Sequence, residues 1–276
     1  MSDDILIYEK SRKGRTGVSL PELKGSTETL IPKTFLRSRA PDLPEISEPE
    51  LVRHYVELST KNHHIDKGFY PLGSCTMKYN PKVNDWAASL PGFSELHPLA
   101  DDADCQGALE LMYNLAQMLS EITGFARCTL QPVAGAHCEL MGLLIIRAAM
   151  KKRGNARKKI LIPDSAHGTN PASVTLAGYE VLQVKSTEKG ILSADDVARV
   201  MDEDTAGIMI TNPNTLGLFE SQIAAIAEVV HKAGGLLYMD GANLNALLGQ
   251  AKPAEMGYDI VHFNLHKTFS TPHGGG

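Results

Sequence analysis

The second half of the chain alternates between two hydrophobic periods, and that alternation limits the fold more than any other feature. Short apolar runs of strand length, KILIP (159–163), EVLQV (180–184), GIMIT (207–211), GLLYMD (235–240) and DIVHFN (259–264), are separated by helical patterns near 171–177, 194–201, 220–233 and 242–248. Ser193 with Asp196 suits a helix start, and Gly234 suits a stop after Ala224, Ile226, Ala227 and Val230. Strands that alternate with helices pair in parallel through right-handed crossovers. The predicted class is therefore α/β, a mostly parallel sheet flanked by helices. Ligands in such sheets sit beyond the carboxyl ends of the strands, at a switch in strand order. Those positions hold Asp164-Ser165-Ala166-His167, Thr211-Asn212-Pro213-Asn214, Asp240-Gly241-Ala242-Asn243 and Asn264-Leu265-His266-Lys267. All four are rich in acid–base or hydrogen-bonding groups.

Ahead of this region, residues 1–45 read as an extended arm, punctuated by Pro21, Pro32, Pro41 and Pro44 and locally basic at Lys10, Arg12, Lys13 and Arg15. Such an arm is either a loose terminus or a segment ordered by a partner subunit. Residues 46–103 hold a helix and a loop region. Ser47 and Glu50 have capping-box spacing ahead of Leu51, Tyr55 and Leu58, whereas 62–100 reads as irregular loop. Residues 104–276 form the large domain. It opens with a helical stripe of Ala108, Leu111, Met112, Leu115, Met118, Leu119 and Ile122, closed by Gly124, and the methionines are expected in the core. A second helix runs from about Gly135 to Lys152.

Composition excludes several functional classes. Lys plus Arg number 27 against 32 Asp plus Glu, a net charge of −5, which speaks against a nucleic-acid binder. No apolar run approaches the roughly 20 residues that span a bilayer, and MSDDILIYEK lacks the apolar core of a secretory signal. Cys75, Cys105, Cys128 and Cys138 form no CxxC pair. Reduced thiols and a cytoplasmic location follow as the expectation, with no metal site. His63, His64, His266 and His273 show no tight ligand spacing.

Asp240 and Lys267 fall on neighbouring strand ends. A buried carboxylate needs a cationic partner, so the spacing reads first as a simple ion pair. A partly desolvated lysine also forms a Schiff base with a carbonyl. Gly135 and Ala136 open a helix whose free N–H groups suit an anion. A phosphate there, a lysine Schiff base and an aspartate facing a ring nitrogen together describe pyridoxal phosphate, with His167 stacking on the ring and Ala242 packing on its other face. His266, next to the lysine, fits a role in holding cofactor or substrate. Neither GxGxxG after a strand nor GxxxxGK[ST] occurs.

The motifs FYPLGSCTMKYNP (69–81), QPVAGAHCE (131–139), DSAHGTNPAS (164–173), TNPNTLGLFE (211–220), MDGANLNA (239–246) and HFNLHKTFSTPHGGG (262–276) run in order along the chain. With IYEKSRKGR (7–15), they resemble glycine decarboxylase, the P-protein family of the glycine cleavage system. The likeness is nearest the separately encoded second subunit, which carries the cofactor lysine.

The resemblance implies a fold-type I pyridoxal-phosphate transferase domain. In it Lys267 holds the cofactor, Asp240 pairs with the pyridine nitrogen, His167 stacks, and Gly135 and Ala136 cradle the phosphate. Thr215 and Asn214 stand where ring or phosphate contacts fit. It further implies decarboxylation of glycine and transfer of the aminomethyl group to the lipoyl disulfide of a carrier H-protein, an oxidoreductase reaction, with subunit 1 as partner in a dimer of heterodimers. The chain stops at Gly274-Gly275-Gly276, before the strand and small C-terminal domain such enzymes have after the lysine. The expectation is an N-terminal part of a longer subunit, inactive alone.

Other readings remain. Another pyridoxal-phosphate decarboxylase or desulfurase shares the fold, and a non-catalytic interaction chain would lack the lysine that is present here. Cys75 is either a redox thiol near the lipoyl sulfurs or a small buried residue. The basic run Lys151, Lys152, Arg153, Arg157, Lys158 and Lys159 is either a docking patch for an acidic carrier or a solvated helix end.

Overall fold

Ser47 and Glu50 close a capping box at the head of the first helix, α1 (Glu48–Thr60). Ser47 Oγ lies 2.7 Å from Glu50 Oε2, and the same carboxylate accepts the Ser47 amide. Arg15 of the arm also pairs with Glu50, and that hydrogen bond, ahead of the one from Ser47, brings its carboxyl down to about 2. The arm is tied again where Arg12 N–H donates to Glu45 O at 2.8 Å and Glu45 N–H to Ser11 Oγ at 2.8 Å. The structure, a computed structural model, describes residues 5–22, 24–25, 30–68 and 78–271. Cys75, His273 and Gly274 to Gly276 lie outside the described residues. Two compact units are present, Met1–Tyr70 and Pro71–Gly276.

The stretch expected as irregular loop carries two short helices, α2 (Lys82–Ala88) and α3 (Pro91–Ser94). Pro81 is the N-cap of α2 and Pro91 is the first residue of α3. Proline suits a helix start because its missing N–H would be unpaired there in any case, so these prolines open helices instead of breaking one.

Helix α4 (Gln106–Thr123) ends at Gly124, whose φ of +80° is left-handed. Its apolar stripe is largely uncovered. Leu111, Met112 and Met118 are exposed, and only Leu119, Ser120 and Thr123 are buried, which corrects the expectation of core methionines. Helix α5 (Gly135–Lys152) has the predicted bounds and buries Gly142, Leu143, Ile146 and Met150.

The sheet follows. In chain order the elements are β1 (Lys159–Pro163), α6 (Thr169–Leu176), β2 (Glu180–Val184), α7 (Ala194–Val200), β3 (Thr205–Thr211), α8 (Ile223–Lys232), β4 (Leu236–Asp240), β5 (Ile260–His262) and α9 (Leu265–Thr268). Among the described residues the order is β2-β1-β3-β4-β5, every pairing parallel. Period-two alternation sends Leu161, Leu237 and Met239 to one face, against α7 and α8. Ile160, Ile162, Leu236 and Tyr238 go to the other, against α5 and α6. Gly142 allows close contact there, since a Cβ at that position would lie 2.1 Å from Tyr238 Cε2.

Three expectations need adjusting. The helix near 242–248 is only a 3-10 turn, Leu244–Ala246, because Asn243 Nδ2 ties the chain to Pro213 O at 2.8 Å. Strand β5 is shorter than DIVHFN. The Asp259 carboxylate accepts the Leu237 N–H at 2.7 Å, and Asn264 already serves as the N-cap of α9. The basic run divides its tasks. Arg157 donates to Thr205 O and Ala233 O at 2.7 and 2.8 Å, while Lys159 pairs with Asp202.

Candidate active site

All strands are parallel, so Pro163, Thr211, Asp240 and His262 end on one rim. The chain turns outward from β1 to β2 and returns to β3, which opens a switch point between β1 and β3. Thr215 bridges it by donating its hydroxyl to Ser165 O at 2.8 Å.

Asp240 is the polar centre of this rim, 2% exposed at the end of β4. Its Oδ1 accepts the Ala242 N–H at 2.9 Å and faces His262 Nε2 at 3.2 Å. Its Oδ2 accepts Asn170 Nδ2 at 3.2 Å and Thr211 Oγ1 at 3.3 Å. Four donors satisfy the roughly four lone-pair sites of a carboxylate. Lys267 sits on α9, just beyond the neighbouring strand, as the spacing predicts. Among the described residues, however, no ion pair joins it to Asp240. The buried aspartate is satisfied by hydrogen bonds, and the half-buried lysine is left for other chemistry.

Glu139 lies one turn into α5 and is 4% exposed. Its two oxygens accept Thr169 Oγ1 at 2.7 Å and Ser173 Oγ at 2.8 Å. Thr169 Oγ1 in turn lies 2.7 Å from His167 Nδ1, so the buried carboxylate anchors the loop that presents the exposed His167. The His262 ring spans Asp240 and the Tyr238 hydroxyl, which is 2.7 Å from Nδ1. Burial holds the His262 pKa below the usual imidazole value, opposed by the nearby Asp240 charge. One side-chain nitrogen or oxygen from each of Glu139, Asp240 and His262 lies within 4.8 Å of the other two. None of these three partners of the rim, Glu139, Asn170 or His262, stands out in the sequence. The usable signal is a polar residue inside an apolar periodic run, as His262 is in DIVHFN and Glu139 is ahead of LMGLLII.

The remaining residues divide. Gly135 is the first residue of α5, and a Cβ there would lie 2.9 Å from Asn264 Nδ2. The helix start and the turn that carries His266 and Lys267 are therefore packed together. Ala136 follows with its N–H unpaired within the helix, as every first-turn amide is. Ala242 lends its N–H to Asp240. Asn214 differs. Its amide donates to Gly190 O and Glu220 Oε1 at 2.8 and 3.1 Å, and its oxygen accepts Leu216 and Leu218 N–H at 3.0 and 3.1 Å. All four of its hydrogen-bonding positions are spent on the protein itself, three inside its own turn and one on Gly190 O of the loop before α7.

Comparison with known proteins follows the same lines. A family model described as glycine cleavage system P-protein matches residues 12–276. A probable glycine dehydrogenase (decarboxylating) subunit 2 from Chloroherpeton thalassium is 60% identical over 274 residues, 98% of this chain and 56% of the relative. The chain thus spans just over half the length of the curated relatives it matches. The crystal structure of a glycine decarboxylase (P-protein) of the glycine cleavage system, in inhibitor-bound form, superposes with a TM-score of 0.67 at 24% identity, covering 90% of this chain and 55% of that one. An Oryza sativa TDC, solved with PLP and tryptamine, gives 0.60 at 16% identity, covering 88% and 58%. These structural likenesses show the fold, a parallel α/β sheet flanked by helices, shared with both of those proteins.

Proposed function

Because the chain belongs to the glycine cleavage system P-protein family, we propose that it is the cofactor-carrying part of a glycine decarboxylase that passes an aminomethyl group to the lipoyl group of a carrier H-protein. The partner subunit is subunit 1, in a dimer of heterodimers, and the setting is the cytoplasm. The relatives' designation as subunit 2 supports a partner chain.

The residues present fit pyridoxal phosphate. A buried carboxylate, a lysine on the adjoining strand end and a helix start without side-chain obstruction converge at one rim. Gly135 in particular lets the α5 start pack directly against Asn264, beside the turn that carries Lys267, where a Cβ would come to 2.9 Å of the Asn264 amide. Asn170 Oδ1 is a buried acceptor without a partner among the described residues, beside Asp240. When bound, the cofactor supplies an electron sink for the bond to the departing carboxyl group.

The chain's own residues would supply the rest. The Lys267 amine offers an attachment point for an aldehyde. Asp240, held by four donors, can keep a proton on a ring nitrogen facing it. The first amides of α5 offer N–H groups and the positive helix end to a phosphate. His167, with Nδ1 tied to Thr169, presents its ring as a stacking surface. Ala242, on the turn after Asp240, is small enough to lie against the opposite face. Thr215 closes the switch point.

The observation that carries the proposal is the union of Lys267, Asp240 and the α5 start on one rim. It is tested with the full-length protein, its partner subunit and lipoylated carrier. Carboxyl-labelled glycine is expected to exchange its label with bicarbonate, and Lys267→Ala should abolish the exchange. No exchange in the wild-type assembly sinks the proposal.

A further inference from the structure

We infer that Tyr238 and His262 form a relay that orients Asp240 and fixes it as a hydrogen-bond acceptor, making His262 a positioning residue for the cofactor site. This rests on the function proposed above.

The geometry begins with two strands. On β4, Tyr238 and Asp240 are two residues apart and share a face. The parallel register pairs Asp240 with His262 of β5, which brings the imidazole alongside the carboxylate. Tyr238 can lie under α5 because Gly142 has no side chain. Its hydroxyl is 2.7 Å from His262 Nδ1 and 3.3 Å from Cys138 O. All three side chains are buried.

Proton accounting then sets the direction. The charged and titratable groups facing His262 are Tyr238 and Asp240 of β4, Glu139 of α5 and Lys267 of α9. Burial outweighs the attraction of the two carboxylates, so the ring is neutral and carries one proton. A carboxylate can only accept, so Nε2 holds that proton and gives it to Asp240 Oδ1. Nδ1 is then an acceptor, and the Tyr238 O–H donates to it. Of the four donors on Asp240, the other three are a backbone amide, an amide side chain and a hydroxyl. His262 is the one whose protonation can change near neutral pH.

Isotope-labelled histidine in the full-length protein, without added cofactor, reads the tautomer directly, with the His262→Gln variant identifying the signal. The expected result is Nε2 protonated and Nδ1 bare between about pH 6 and 8. A ring protonated at Nδ1, or at both nitrogens, overturns the relay whatever the cofactor does.

A second readout uses added pyridoxal phosphate and the pH midpoint of its visible band. A carboxylate that loses a donor becomes more basic and draws the shared proton away from the ring nitrogen. The less electron-poor ring then shifts the midpoint upward. His262→Leu should raise it by about one pH unit. His262→Gln, which keeps an N–H for Asp240 and an oxygen for Tyr238, should stay near wild type. Tyr238→Phe should move it by less than His262→Leu, and serves if that variant does not fold. Equal shifts in the Gln and Leu variants, or none in the Leu and Phe variants, overturn the positioning role. A wild-type protein with no visible band overturns the cofactor reading, and with it the positioning role, while the tautomer result still stands for the relay.

Discussion

Helices α4 and α5 have the same length, 18 residues, and opposite surroundings. Helix α5 starts at the rim of strand ends and lies on β4 through Gly142, burying Leu143, Ile146 and Met150 against the sheet. Helix α4 is buried only near its last turns, and Leu111, Met112, Tyr113 and Met118 face outward. The two are equally legible as helices because both repeat apolar residues at helical spacing. Such a stripe marks a face suited to burial but does not say what covers it. What sets α5 apart is a small residue where the helix meets an aromatic side chain of the sheet, together with a buried carboxylate on the same face.

The largest effects should therefore fall on α5. Gly142→Val would push a side chain into the Tyr238 ring, where even a Cβ comes to 2.1 Å. Overpacking of that kind is expected to cost about 3 kcal/mol or more. Leu143, fully buried, should cost about 3 kcal/mol on Leu143→Ala. The matched Leu111→Ala on α4 should stay within about 0.5 kcal/mol. Urea midpoints of the three variants decide the matter. If Leu111→Ala costs as much as Leu143→Ala, the contrast between the helices fails.

The same contrast explains what could be read in advance. All five strands, the capping box of α1, the bounds of α5 and the neighbouring positions of Asp240 and Lys267 follow from local periodicity and turn residues. The partner of Asp240 did not. Register decides it, and register depends on how two strands slide into place, so the ion pair with Lys267 that spacing alone suggests is replaced by His262. The short helices α2 and α3 escaped because their prolines read as breakers, although a proline in the first turn favours a helix. Asn214 shows the remaining ambiguity. An asparagine after a strand looks the same in sequence whether it binds a ligand or, as here, holds its own turn.

A carboxylate on each helix gives a sharper comparison. Glu139 of α5, itself buried, accepts one buried and one half-buried hydroxyl, whereas Glu121 of α4 pairs at the surface with Lys252 at 2.7 Å. Glu139→Leu would leave Thr169 and Ser173 without their acceptor and should cost about 2 kcal/mol. It should also loosen His167, which hangs from Thr169. Glu121→Gln should leave the unfolding midpoint unchanged. A Glu139→Leu protein as stable as wild type would mean that the buried network is not holding the α5 face together.

The mildest effect concerns acid, and it tests whether the α5 face shields a titratable group that the α4 face could not. His262 has a folded-state pKa below its unfolded value of about 6.5, chiefly because burial disfavours the charged ring. The unfolded chain therefore binds a proton more readily than the folded one. Stability is level above about pH 6.5 and falls as pH drops below it, by at most about 1.4 kcal/mol per pH unit from this residue, until the folded-state pKa is reached. Glutamine at 262 cannot titrate, so His262→Gln should flatten that part of the acid loss between about pH 6.5 and 5.5. Urea midpoints of both proteins at the two pH values measure the difference. An identical acid loss would mean that His262 is protonated as easily when folded as when unfolded, and that α5 does not keep the ring from water.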